Sequence, residues 1–144
     1  MPLLPRKGVL AVAAVIDVAM QEHGQPISAK ILAARHGLPP RHLEPVLQAL
    51  VRCGILRGMR GPRGGYELAR DRRRVTANDI LRAAGTVEEN EELHAGSDLL
   101  IKIVQPAMAS AEFEFGVALS RINVDDMVRD ARALSRPGKG AARP

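Results

Sequence analysis

Aromatic side chains are almost missing from this chain: 144 residues include two Phe, one Tyr and no Trp. With so few rings, the interior must be filled by Leu, Ile, Val, Ala and Met, which favours packed helices over a sandwich of sheets. Cysteine is scarcer still. The single thiol, Cys53, excludes an intrachain disulfide framework and any multi-cysteine zinc or iron-sulfur site made by this chain alone. Long apolar runs are also lacking: residues 9–20 are interrupted by Asp17, are too short to span a bilayer and carry no convincing cleavage site. A cytoplasmic protein with no membrane partner is expected.

Negative charge is sparse in one part of the chain only. Residues 1–85 hold 14 Lys or Arg against 6 Asp or Glu, whereas residues 86–144 hold 7 against 10. The basic part is therefore the candidate surface for a polyanion. Within it, residues 57–66 read RGMRGPRGGY, flanked by Ile55 and Leu56 on one side and running into Tyr66 and Leu68 on the other. Two short strands can pair here against a core, leaving a tip rich in Gly and Arg. Gly64 and Gly65 are expected to supply positive backbone angles, and Pro62 to fix the approach to the turn. Arg60 and Arg63 would then project from a rigid loop, a presentation suited to phosphate or a narrow minor groove. A solvated hairpin is the plainer alternative.

The residues ahead of this hairpin decide between the two. After a leader ending in Arg6 and Lys7, a largely apolar stretch predicts a buried helix over residues 9–23, closed by Gly24. Arg6 and Lys7 at its start are candidates for touching phosphate, with a merely solvated helix end as the equal alternative. Ser28 is a plausible N-cap for a second helix, with Ile31, Leu32 and Ala34 facing inward and Gly37 as its stop. A third helix is expected over residues 40–53. Leu43, Val46, Leu47, Leu50 and Val51 recur at helical intervals as its packing face. Arg41, Glu44, Pro45, Gln48 and Arg52 fall together on the opposite face, with His42 at the edge. Such a face carries donors and an acceptor, the equipment for reading base edges; a merely solvated helix face is the alternative. Pro45 predicts an irregular or kinked first turn.

Beyond the hairpin, the run Asp71, Arg72, Arg73, Arg74 either flanks it on the duplex backbone or forms a charged surface turn. Thr76 followed by Asp79 is a capping signature for a fourth helix over residues 77–84. Residues 86–97 are acidic and form a linker. His94 among these carboxylates is a weak metal candidate, and no metal or cofactor is expected. A long helix follows over residues 98–122, kinked at Pro106 or truly starting near Val104. Val104, Met108, Ala111, Phe115, Ala118 and Ile122 are spaced 4, 3, 4, 3, 4, an a/d seam that reads as a homodimer interface. Packing of the seam on the first helix is the alternative. Residues 124–135 form a final short helix, and the tail 136–144 is expected to be disordered.

Helix, helix-turn-helix and basic hairpin, in that order, make a winged helix-turn-helix: mainly α with a small β-hairpin, plus a long dimerisation helix. The expected layout is a DNA-binding domain over 1–85, a linker over 86–97 and dimerisation helices over 98–135. Three stretches, RKGVLAVAAVIDVAM, LPPRHLEPVLQALVRCGIL and RGPRGGYELARD, resemble the bacterial winged-helix regulators typified by the iron-sulfur cluster regulator IscR and the nitric-oxide-sensing repressor NsrR. The resemblance covers nearly the whole chain, and the wing motif is its most specific part. It implies a homodimeric transcriptional regulator, a repressor on a palindromic double-stranded DNA operator, in which the long helix of each subunit crosses the other. It places Arg41, His42, Glu44 and Pro45 where family members contact bases, and Arg60, Gly61, Pro62 and Arg63 at the wing tip.

One departure is chemical. Cluster-binding members carry three cysteines between the fourth helix and the long one, and this chain has none there. The family's cluster chemistry is thus not implied, and Cys53, beside Leu50 and Ile55, reads as a buried inert thiol. A protein-interaction module that uses the winged scaffold and the long helix as a partner site is the competing function. An enzyme is disfavoured: GPRGG lacks the Gly-Lys-Ser/Thr of a phosphate loop and opens a strand rather than a helix.

Overall fold

The computed structural model describes residues 4–21, 24–85 and 97–135. The first helix, α1 (Arg6–Ala19), starts at Arg6 rather than Val9, because the Pro5 carbonyl accepts from the backbone N–H of Gly8 at 3.0 Å and of Val9 at 3.1 Å. Arg6 and Lys7 therefore sit in a helical turn and not in an extended leader. The helix also ends before the predicted boundary. Met20 N–H turns back to Asp17 O at 3.2 Å, and Gln21 Nε2 caps the same carbonyl at 3.0 Å. Residues 22 and 23 lie outside the described residues.

Ser28 caps α2 (Ala29–Arg35) as its sequence predicts, its hydroxyl accepting from Ile31 N–H at 3.2 Å. The buried face differs from expectation. Leu32 and Ala33 go inward, while Ala34 is exposed and Ile31 is 49% exposed; Ile27, just ahead of the helix, takes a core position instead. In α3 (Pro40–Arg52), Leu43, Val46, Leu47 and Leu50 are fully buried and Val51 partly so. α3 continues through Pro45, which is exposed, and the expected irregularity appears in the first turn, where a His42 N–H to Pro39 O bond of 3.0 Å tightens it.

The hairpin forms from β1 (Leu56–Met59) and β2 (Gly65–Leu68), antiparallel, with Leu56 opposite Leu68 and Met59 opposite Gly65. Asp71 caps a 3-10 turn over Arg72–Arg74, and α4 (Ala77–Gly85) opens on the predicted reciprocal cap. Thr76 N–H donates to Asp79 Oδ2 at 3.1 Å, and Asp79 N–H donates to Thr76 Oγ1 at 3.2 Å. Pro106 is accommodated by the second predicted route, an α-helix that truly starts beside Val104, with the proline in its first turn. A π-helical stretch, Leu99–Val104, leads into α5 (Gln105–Ser120), and the Gln105 N–H reaches back five residues to Leu100 O. The wider turn relieves the crowding a proline ring imposes on the turn before it.

The chain closes with α6 (Val124–Ser135), which packs on α1. Val124 and Val128 are fully buried in the same core as Val15, Leu32, Leu43, Leu47, Ile55 and Ile80. Each such side chain contributes roughly 1.5–3 kcal/mol of apolar burial. Gly8 lets α1 approach α4 closely, since a side chain there would strike Leu81.

Candidate nucleic-acid interface

Burying one stripe of α3 forces its other side outward. Arg41, His42, Glu44, Pro45, Gln48 and Arg52 are all exposed, and none of their side chains except Gln48 has an ion-pair or hydrogen-bond partner among the described residues. Gln48 Nε2 donates to the Tyr66 hydroxyl at 3.1 Å, which ties this face to the root of the hairpin.

Tyr66 belongs to a larger joint. Its backbone N–H donates to Ile27 O at 2.8 Å and its carbonyl accepts from Ile27 N–H at 3.0 Å, so the segment entering α2 adds a bridge to the hairpin. Gly65 makes this approach possible: its φ is +149° and a Cβ there would lie 2.7 Å from Ser28 N. At the tip, Gly64 N–H bonds to Gly61 O at 2.9 Å, closing a turn with Pro62 and Arg63 at its centre. The positive φ falls at Gly61 (+109°) and not at Gly64; Gly64 is required instead by crowding from Met59 O and Gly61 O. The exposed Arg60 and Arg63 side chains make no ion pair or hydrogen bond among the described residues. Arg57, by contrast, is held across the strands by Glu67 at 3.4 Å.

Arg6 and Lys7 border the same groove as His42, with Leu10 and Leu38 on its walls. The first turns of α1 and α3 contain no acidic residue, and both carry cations. Positive side chains at a helix N-terminus oppose the helix dipole, and an anion arriving there removes that conflict.

Most other arginines near the hairpin are spoken for. Arg70 donates to Gly54 O at 3.1 Å and to Cys53 O at 3.2 Å, so it fastens the end of α3 to the end of β2. Arg72 pairs with Asp125 of α6 at 2.7 Å, and Arg73 pairs with Asp71 at 2.7 Å. This pairing, led by the Arg73 side-chain hydrogen bonds, holds the Asp71 carboxyl well below the usual carboxylate range. The surface-turn reading thus fits Arg72 and Arg73, while the exposed Arg74 side chain has no partner among the described residues. Cys53 is exposed, not buried as expected, because it follows the packed stripe as the C-cap of α3. The acidic stretch 86–96 with His94 lies outside the described residues, and so does the tail 136–144.

No residue of α5 is buried. All six seam residues, Val104, Met108, Ala111, Phe115, Ala118 and Ile122, are exposed, with Met108 at 60% and Phe115 at 39%. The helix rests on α4 through the half-buried Gly116, where a Cβ would meet Asn78 Oδ1 at 3.3 Å. The seam therefore does not pack on α1. Phe113 (67% exposed) stands on the far side, so α5 is apolar on more than the seam alone. None of the described helices is long and apolar enough to cross a membrane.

Comparison with known proteins agrees with this architecture. The family model described as Rrf2, iron-dependent transcriptional regulator, matches residues 4–130. A Synechocystis protein named as an HTH-type transcriptional regulator is 31% identical over 132 residues, spanning 90% of both chains. The solved structure of T. potens IscR superposes with a TM-score of 0.72 at 27% identity, covering 99% of this chain and 97% of that one. CymR, described as the global cysteine regulator of B. subtilis, gives 0.65 at 25% identity over 90% and 98%. The iron in the family description finds no thiolate donor set here, because one thiol at the end of α3 cannot hold a cluster. Nor do three His, Cys, Asp or Glu side chains gather as ligands among the described residues. With a family match over most of its length and the winged fold of its relatives, the chain belongs to the Rrf2 family of DNA-binding transcriptional regulators.

Proposed function

We propose that the protein is a homodimeric, cytoplasmic repressor that binds a palindromic operator without catalysis and without an iron-sulfur cluster. Residues 1–85 read the duplex, 86–97 link, and 98–135 pair the two copies. In each subunit α3 enters the major groove, where Arg41 donates to guanine, Glu44 accepts from a cytosine amino group, and His42, Pro45 and Gln48 line the same contact. The wing tip, Arg60, Gly61, Pro62 and Arg63, rests on the backbone or the neighbouring minor groove, and Arg6 and Lys7 grip phosphate. Pairing through Val104, Met108, Ala111, Phe115, Ala118 and Ile122 sets the spacing of the half-sites.

The observation that carries this reading is the set of exposed cations, Arg41, Arg60 and Arg63, with no side-chain partner among the described residues, on elements joined through Gln48 and Tyr66. Selection of bound sequences from random duplex DNA tests it. A two-fold symmetric site is the expected result, with affinity falling steeply as salt rises. Recovery of no preferred sequence, or of a site without symmetry, would overturn it.

A further inference from the structure

Gln48 lies one helical turn beyond Glu44 on the exposed side of α3, and among the described residues it alone of the polar side chains on that face is held by another element. Its holder is tied in from several sides. Tyr66 pairs with Gly58 across the hairpin, exchanges two backbone hydrogen bonds with Ile27, and packs its half-buried side chain against the core. The hydroxyl is thus a fixed point, and it accepts from Gln48 Nε2 at 3.1 Å. A long unbranched amide on a helix surface otherwise samples many rotamers and loses that freedom on binding. Once anchored, it keeps its Oε1 acceptor and a second N–H, the acceptor and donor pair that matches N6 and N7 of adenine.

We propose that Tyr66 is a specificity-positioning residue: by holding Gln48 in one orientation, it makes the Gln48 carboxamide select one base pair, an adenine edge, beside that read by Glu44. This rests on the placement of α3 in the major groove. A hydrogen bond between partly exposed groups adds little to folding stability, so its consequence lies in orientation.

The test is a binding cycle on the full-length protein with Tyr66→Phe, Gln48→Ala and the double variant, each put through duplex selection and competition against random DNA. Tyr66→Phe keeps the ring and the strand pairing and removes only the hydroxyl. Both single variants lose discrimination at the same base pair by about fivefold or more, and the double variant loses no more than either. Tyr66→Phe leaves the salt slope and the melting curve unchanged, which a merely structural role would not. Unaltered preference in Tyr66→Phe, losses at different base pairs, or additive losses overturn the inference while leaving the groove reading in place. If the unaltered protein selects no site at all, the groove reading fails and the inference falls with it.

Discussion

The carboxylate of Asp17 lies 2.8 Å from Nε2 of His36, so α1 grips the C-terminal end of α2. Arg35 approaches the same carboxylate at 3.3 Å. One side chain in the last turn of α1 therefore sets where the helix-turn-helix sits. Asp17→Ala is expected to lower unfolding stability by about 1–2 kcal/mol and to loosen the α2–α3 unit. Denaturant titration checks the first effect and hydrogen exchange at the α2 amides the second. A variant with unchanged stability and exchange would show that the contact holds nothing.

The wing arginines and the α3 carboxylate are expected to fail differently. Arg60→Ala and Arg63→Ala each weaken binding to operator and random duplex alike and lower the salt slope by about 1. Glu44→Ala instead shifts preference at one base pair by about 1–3 kcal/mol and does not lower the slope. Binding measured across a salt series separates the two. Loss of specificity without loss of slope in the arginine variants would remove the wing from the backbone.

Gly65 is the hairpin residue least able to accept a side chain, because its backbone angle is positive and Ile27 and Ser28 crowd it. Gly65→Ala is expected to cost about 1–3 kcal/mol and to expose the Ile27 and Tyr66 amides to exchange. Gly58→Ala, on the partner strand with no atom within 4 Å of the added carbon, is the control and should change little. Equal behaviour of the two variants would mean that the Ile27 bridge is dispensable.

Phe115 stands at the edge of a groove between α4 and α5 and on the predicted seam. Phe115→Asp places a charge where two copies would meet, and sedimentation should then find monomers with weakened affinity for a two-fold site. A variant that still pairs would move the interface to another part of α5.

The sequence made local features legible and long-range contacts illegible, for a physical reason. The repeat of Leu43, Val46, Leu47 and Leu50, the Ser28 cap, the Thr76–Asp79 box and the paired strands about the GPRG turn are all written within a few residues of one another. The contacts that place the candidate interface are not. Tyr66 with Ile27, Gln48 with Tyr66 and Asp17 with His36 join separate elements, and no periodicity marks them. Cys53 has apolar neighbours in sequence yet is exposed, because the C-cap of α3 lies past the end of the packed stripe and neighbour identity does not mark that end. In α5 the 4, 3, 4, 3, 4 spacing marks a seam, but apolar residues such as Phe113 also lie off it, so spacing does not show that the helix meets α4.

The starts of α4 and α6 share a single knot, in which Ala77 N–H bonds to Ile122 O at 2.8 Å and Val124 N–H bonds to Val75 O at 2.9 Å. The end of α5 is thereby moored to the floor of the reading unit, and α6 runs from that mooring across α1. Any swing of α5 that leaves the knot intact must drag α6, and through it the helix that begins with Arg6 and Lys7. In the proposed dimer on DNA, the geometry of assembly and the grip on the duplex would then be mechanically one adjustment.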